Sequence, residues 1–124
     1  MTQEQKDLLL KDLCARLPYG VKVESVFINP DTKEHKSCGI EVFDATSILM
    51  IRDGLGEFKP YLFPLSSMTE EQSKEYHELI GGMFGTSALI NFEVLEDFFH
   101  KNHFDYRGLI PMGLANDAAG INIY

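Results

Sequence analysis

Glu96, His100, His103 and Asp105 are the residues whose types and spacing best suit metal chemistry. Glu96 and His100 stand one helical turn apart, and His100 and His103 share a face if the helix continues. One or two carboxylates with two imidazoles suit zinc or another divalent cation. No His-Glu-x-x-His pattern accompanies them, and the helix dipole independently favours histidines near a C-terminus. The spacing therefore favours a capping or surface role, and no metal or cofactor is expected. The adjoining run His103-Phe104-Asp105-Tyr106-Arg107-Gly108 offers a second chemistry. Arg107 can hold an anionic group with Tyr106 as an apolar wall, or it can pair with Asp105 and brace the tail.

The remaining motifs are weaker. His35-x-x-Cys38 has a base and a nucleophile, but thiolate chemistry also needs exposure and a lowered pKa. Gly81-Gly82-Met83-Phe84-Gly85-Thr86 lacks the lysine of a phosphate loop and follows no strand, so it suits a helix stop and connector. No Gly-x-Ser-x-Gly elbow is present. Enzymatic activity is not expected. Cys14 and Cys38 belong to no Cys-x-x-Cys pair and are expected to be buried free thiols.

The elements that would position these residues follow from patterning. With 124 residues, 44% of them apolar and 24% charged, the chain is expected to form one domain, 1–124, with a core of its own. Its 11 basic against 19 acidic residues give a net charge of −8, which repels phosphate backbones and disfavours nucleic-acid binding. No apolar run approaches a membrane span and no signal peptide is evident, so the expected location is the cytoplasm. Thr2 and Gln5 have capping-box spacing before a helix over 3–16 whose apolar stripe is Leu9, Leu10, Leu13, Cys14 and Leu17. Strands are expected from Val21 to Ile28, around Cys38 to Val42, from Ser47 to Arg52 as the most buried one, and from Glu57 to Phe63. Pro60 and Pro64 mark the last of these as an edge or a strand end. Ser67 and Glu70 have capping-box spacing for a helix over about 68–80, stopped by Gly81-Gly82, and Asn91 is placed to cap another over about 92–102. The expected architecture is α+β: a four-stranded antiparallel meander covered by one N-terminal and two C-terminal helices. The tail from His103 onward is expected to be ordered by packing Leu109, Ile110 and Leu114.

Lys59 to Glu71 (KPYLFPLSSMTEE) and His103 to Ile110 (HFDYRGLI), with the opening Leu8 to Val21, resemble small proteins of gut Bacteroidales and their phages and mobile elements. Members often carry a basic residue where this chain has Phe63, which implies that this side chain is partly exposed. The resemblance implies no activity, cofactor or catalytic residue. The function expected is a non-enzymatic interaction or accessory module whose partner is another protein. Its contact surface would be Lys59, Tyr61 and Phe63, with Asp105, Tyr106 and Arg107 if these lie close by. Two alternatives stand beside it. One is a small enzyme or ligand binder with a polar pocket near His100, His103, Asp105 and Arg107. The weaker one is an acidic mimic of nucleic acid.

Overall fold

The computed structural model describes residues 2–85 and 88–124 of the chain. Thr2 caps the first helix, α1 (Gln3–Arg16): its hydroxyl accepts from the Gln5 amide at 3.1 Å, and the Gln5 side chain accepts from the Thr2 amide at 3.0 Å. Such a reciprocal cap stabilises a helix by about 1 kcal/mol. The buried stripe of α1 is Leu9, Asp12, Leu13 and Arg16, so two ionisable residues lie on the inward face. A 3-10 turn over Leu17–Tyr19 follows, and Gly20 takes the left-handed conformation that ends it.

Strand β1 (Lys22–Ile28) pairs antiparallel with β2 (His35–Val42) across a turn in which the Asn29 side chain accepts from the Asp31 and Thr32 amides. The next segment departs from expectation. Ser47–Arg52 is not the most buried strand but part of a helix, α2 (Ala45–Arg52). Asp44 and Ser47 form a capping box at its start. At its end, Gly54 adopts a left-handed φ of 71° while Gly54 N–H donates to Ile51 O and Leu55 N–H to Met50 O, the Schellman pattern. Both helix ends are thus chemically specified, and they override the strand preference of Ile48-Leu49-Met50-Ile51. The apolar run is still used: Ile48, Met50 and Ile51 pack on the core, while Leu49 is exposed.

Because α2 intervenes, the chain returns to the other side of β1. Strand β3 (Gly56–Leu62) pairs antiparallel with β1, and the short β4 (Asn116–Asp117) pairs parallel with β3 at Tyr61 and Leu62. The sheet order is β2-β1-β3-β4, so the sheet is mixed and is not an antiparallel meander. Among the described residues the fold is α+β, with four α-helices around this sheet.

Helix α3 spans Glu70–Gly85 and helix α4 spans Ala88–Lys101. The cap of α3 is Thr69 with Gln72, not Ser67 with Glu70: each side chain accepts from the other's amide. The Ser67 hydroxyl donates to Pro64 O at 2.7 Å within a 3-10 turn, so it is not free to cap. Gly81-Gly82 does not stop α3, which runs on to Gly85, and Asn91 lies inside α4. Thr86, the last residue of the glycine-rich run, lies outside the described residues. No described helix is long and apolar enough to cross a membrane.

Two apolar clusters hold the layers together. The first joins α1, β1, β3 and the tail through Leu13, Val23, Phe43, Phe58, Leu62 and Leu109. The second joins α4 and the following loop through Leu95, Phe98, Phe99 and Phe104, with Tyr76 of α3 and Phe63 against it. Full burial of each such side chain contributes roughly 1.5–3 kcal/mol. In the tail, Leu109 and Leu114 are buried and Ile110 is half-buried. Cys14 and Cys38 are free but exposed, not buried: Cys14 falls on the outer side of α1 and Cys38 on the outermost strand.

Candidate functional site

The residues with chemical potential divide between three places. His100, Tyr106 and Arg107 come together with three residues of the N-terminal region. Asp12 and Arg16, one turn apart on α1, are fully buried and joined at 2.8 Å from Arg16 Nε to Asp12 Oδ2. Arg107 Nε donates to the other oxygen of Asp12 at 3.1 Å, and Arg16 Nη2 donates to Phe104 O. Two guanidinium groups thus share one carboxylate, binding α1 to the loop after α4. Tyr106 stacks on Phe99 at 4.9 Å and 12°, with the Arg107 guanidinium 4.9 Å from its centroid. His100 Nε2 is 2.9 Å from the Tyr106 hydroxyl. Burial, with the field of Arg16, holds the His100 pKa below its usual value, and burial raises that of Tyr106. Tyr19 completes the group with its hydroxyl on Asp97. Sequence reasoning passes over Asp12 and Arg16, although their spacing from Leu9 and Leu13 puts them on the buried stripe.

Asp105 and His103 point elsewhere. Both oxygens of the buried Asp105 accept backbone amides, Leu109 at 2.8 Å and Ile110 at 2.9 Å, so its carboxylate clamps the tail. His103 stacks on Tyr124 at 3.8 Å and 13°. Burial, then the charges of Arg16 and Lys22, lower its pKa to about 4. Glu96 is half-buried on α4 and acts on His100 through its charge. Glu96, His100, His103 and Asp105 therefore do not converge, and among the described residues no group of three or more His, Cys, Asp or Glu is arranged to hold a metal. His35 and Cys38 lie on the exposed β2, where the Cys38 thiol meets the Lys36 carbonyl.

The third place is β3. Its far end is closed. Tyr61 is buried, and its carbonyl accepts from the Tyr124 hydroxyl at 2.8 Å. Phe63 is half-buried against the Tyr124 ring, and its backbone bonds to His103 O and to the Asp105 amide. The near end has no partner strand on its outer side among the described residues but is buried: Gly56, Phe58 and Pro60 are all buried, and Gly113 and Leu114 of the tail share a cavity wall with Phe58 and Lys59. Ala118 N–H donates to Leu62 O, so the backbone groups of Leu62 face away from β1; Ile28 N–H donates to Leu55 O, so those of Leu55 face β1. Strand alternation then turns the polar groups of Gly56, Phe58 and Pro60 outward. No described strand pairs with that stretch, since β4 covers only Tyr61 and Leu62. Pro60, lacking a donor, is tolerated because its missing N–H lies on this unpaired side.

Two cavities adjoin this stretch. One of about 400 Å3 lies between α1 and β3, with Leu9, Leu10, Leu13, Ile51 and Phe58 in its walls and Lys6 at its rim. The other, about 230 Å3, is bounded by Glu24, Val26, Glu57 and Lys59 together with Leu9 and Leu114. Leu9, Glu57 and Phe58 border both. Comparison with protein-family models, curated proteins and solved structures finds no match to this chain, so the reading of the site rests on its geometry.

Proposed function

We propose that the chain is a non-enzymatic protein-interaction module that takes up a segment of another protein beside β3. The observation that carries this reading is a cavity of about 400 Å3 beside a stretch of β3, Gly56 to Pro60, whose outward backbone is buried yet has no partner strand among the described residues. Such a stretch leaves donors and acceptors at strand spacing without a strand partner, while the adjoining cavities select side chains. Lys59, expected in the contact surface, is half-buried and borders the smaller cavity. Tyr61 and Phe63 lie where Tyr124 engages them, so they mark the closed end of β3. Asp105, Tyr106 and Arg107 contribute indirectly, by fixing α1 and the tail around it. The resemblance to proteins of mobile elements agrees with an accessory role.

The test is selection of heptapeptides from a random displayed library, followed by titration of each selected peptide into the isotopically labelled full chain. The expected result is movement of the Gly56, Glu57, Phe58 and Lys59 amides, with those of Leu9 and Leu10. Shifts confined to His100, Tyr106 and Arg107 would overturn the reading in favour of a ligand held by the polar cluster.

A further inference from the structure

We propose that residues 119–124 form a strap that acid releases, fastened by Tyr124 against a neutral His103. The strap is held at its two ends. Ala118 is buried and its N–H donates to Leu62 O, whereas residues 119–122 are exposed. At the other end Tyr124 is inserted where the β1–β3 ladder stops. Val23 and Pro60 are the last residues paired there. One step beyond them the Tyr124 hydroxyl accepts from Lys22 N–H and donates to Tyr61 O, each at 2.8 Å. The hydroxyl thus stands in for a ladder bond between the two strands. The Tyr124 ring lies 3.8 Å from that of His103 and 5.8 Å from that of Phe63, and the Lys22 ammonium donates to Ile123 O.

His103 fits beneath Tyr124 only without charge. Its backbone is fixed: the N–H donates to His100 O at 3.1 Å, and the carbonyl accepts from Phe63 N–H at 2.8 Å. An imidazolium carries a proton on both ring nitrogens. Nδ1 is buried with no hydrogen-bond partner among the described residues, so that proton would meet no acceptor. The charged groups acting on the ring are Arg16 of α1, itself paired to Asp12, and Lys22 of β1, both cations. Asp105, close in sequence, spends both oxygens on the Leu109 and Ile110 amides. The face of Tyr124 attracts a cation, but Lys22 already lies 5.7 Å from its centroid. A proton on His103 is therefore accommodated by turning the ring outward, which the stacked Tyr124 blocks. Docking of Tyr124 lowers the proton affinity of His103, and by linkage the proton weakens docking to the same degree. Release frees the Lys22 N–H and the Tyr61 carbonyl and bares one side of Phe63.

Amide exchange on the full chain, with the intrinsic pH dependence of exchange divided out, tests this. The Lys22 amide is protected through Tyr124, and the Glu24 amide lies deeper in the same ladder, opposite Lys59. With His103 at a pKa of about 4 when covered and 6.5 when free, the open fraction should rise roughly twentyfold between pH 7 and pH 5. Lys22 protection should fall by that factor while Glu24 protection holds. In Tyr124→Ala, a change at an exposed residue, the pKa of His103 followed by NMR should rise from about 4 toward 6.5. In His103→Asn, which suits the left-handed φ of 58° and does not titrate, Lys22 protection should lose its pH dependence. Constant Lys22 protection in the wild type, or an equal fall at Lys22 and Glu24, would overturn the proposal. So would a His103 pKa left near 4 in Tyr124→Ala, or a pH dependence kept whole in His103→Asn. No peptide enters these measurements, so their outcome is independent of uptake beside β3.

Discussion

Asp12→Ala is the substitution with the largest effect expected on stability. Asp12 and Arg16 are both fully buried, and Arg107 is 18% exposed at its side chain. Removing the carboxylate strands one guanidinium in the interior and a second at its margin. Arg16 is the worse placed, because its Nη1 already lacks a hydrogen-bond partner among the described residues. Breaking a buried ion pair from one side costs about 3–5 kcal/mol, a large share of the roughly 5–15 kcal/mol that holds a domain folded. For a chain of 124 residues this lowers Tm by roughly 4 °C per kcal/mol, or about 12–20 °C in all. Chemical denaturation of the wild type and of Asp12→Ala, Arg107→Ala and the double variant Asp12→Leu with Arg16→Met measures it. Arg107→Ala should cost less than Asp12→Ala, because Arg16 keeps its partner. The double variant should recover part of the loss, since no unpaired charge then remains buried. A loss below about 1 kcal/mol for Asp12→Ala, within the range of an exposed pair, would refute this account of the triad.

His103, at a pKa of about 4, lies below its free value of 6.5, so it is the unfolded chain that takes up the proton first. Its contribution to stability is intact above about pH 6.5 and declines as the pH falls toward 4. A His103 imidazole titrating near 6.5 in the folded chain by NMR would contradict this. The Tyr124 hydroxyl accepts from Lys22 N–H, donates to Tyr61 O, and has its pKa pushed up to about 12 by burial. Tyr124→Phe should cost about 1–3 kcal/mol in denaturant unfolding, by leaving those groups unpaired. Asp44→Ala removes the cap of α2 and should cost about 0.5–2 kcal/mol by the same measurement. An unchanged midpoint would argue against the helical assignment of this segment.

Some of this architecture is legible in the sequence because the signal is local. Thr2, Gln5 and a four-turn stripe are enough to place α1 at its observed bounds. Pro60 rightly marks a position without a ladder donor, but nothing local tells that β3 lies inside the sheet, paired to β1 from Gly56 to Pro60 and to β4 at Tyr61 and Leu62. The segment 45–52 defeats periodicity, since an apolar run of four residues fits a buried strand or one face of a short helix equally well. What decides is the pair of end devices, Asp44 with Ser47 and the left-handed Gly54. Two overlapping capping boxes compete before α3, and the choice falls to Thr69 because the chain spends Ser67 on Pro64. The polar cluster is the least legible part. Asp12 and Arg107 meet across 95 positions, so no spacing reveals them. Leu9, Leu10 and Leu13 are visible as an apolar stripe, but the stripe alone cannot separate a core contact from a cavity wall.

The two flanks of the sheet differ in character: β2 forms one edge, and on the other side the two-residue β4 leaves most of β3 without a partner strand. Every residue of β2 is exposed, and Ile40 and Val42 are about half exposed, which by itself is an aggregation hazard. The ladder is broken in mid-strand, however, where the register to β1 shifts between Ser25 and Val26 and Gly39 turns to a left-handed φ of 83°. That bulge, with Lys36 beside it, prevents a partner strand from continuing along β2. The stretch of β3 that β4 leaves unpaired is instead regular, short and buried. Gly56 and Phe58 each offer an N–H and a C=O, while Pro60 adds only a carbonyl. At about 0.5–1.5 kcal/mol net per bond, backbone pairing supplies only a few kcal/mol, against an association cost of about 4–15 kcal/mol. Strand pairing can therefore fix the register of a guest but cannot hold it alone. On the proposed reading, retention would come from an apolar side chain in the cavity lined by Leu9, Leu10 and Ile51.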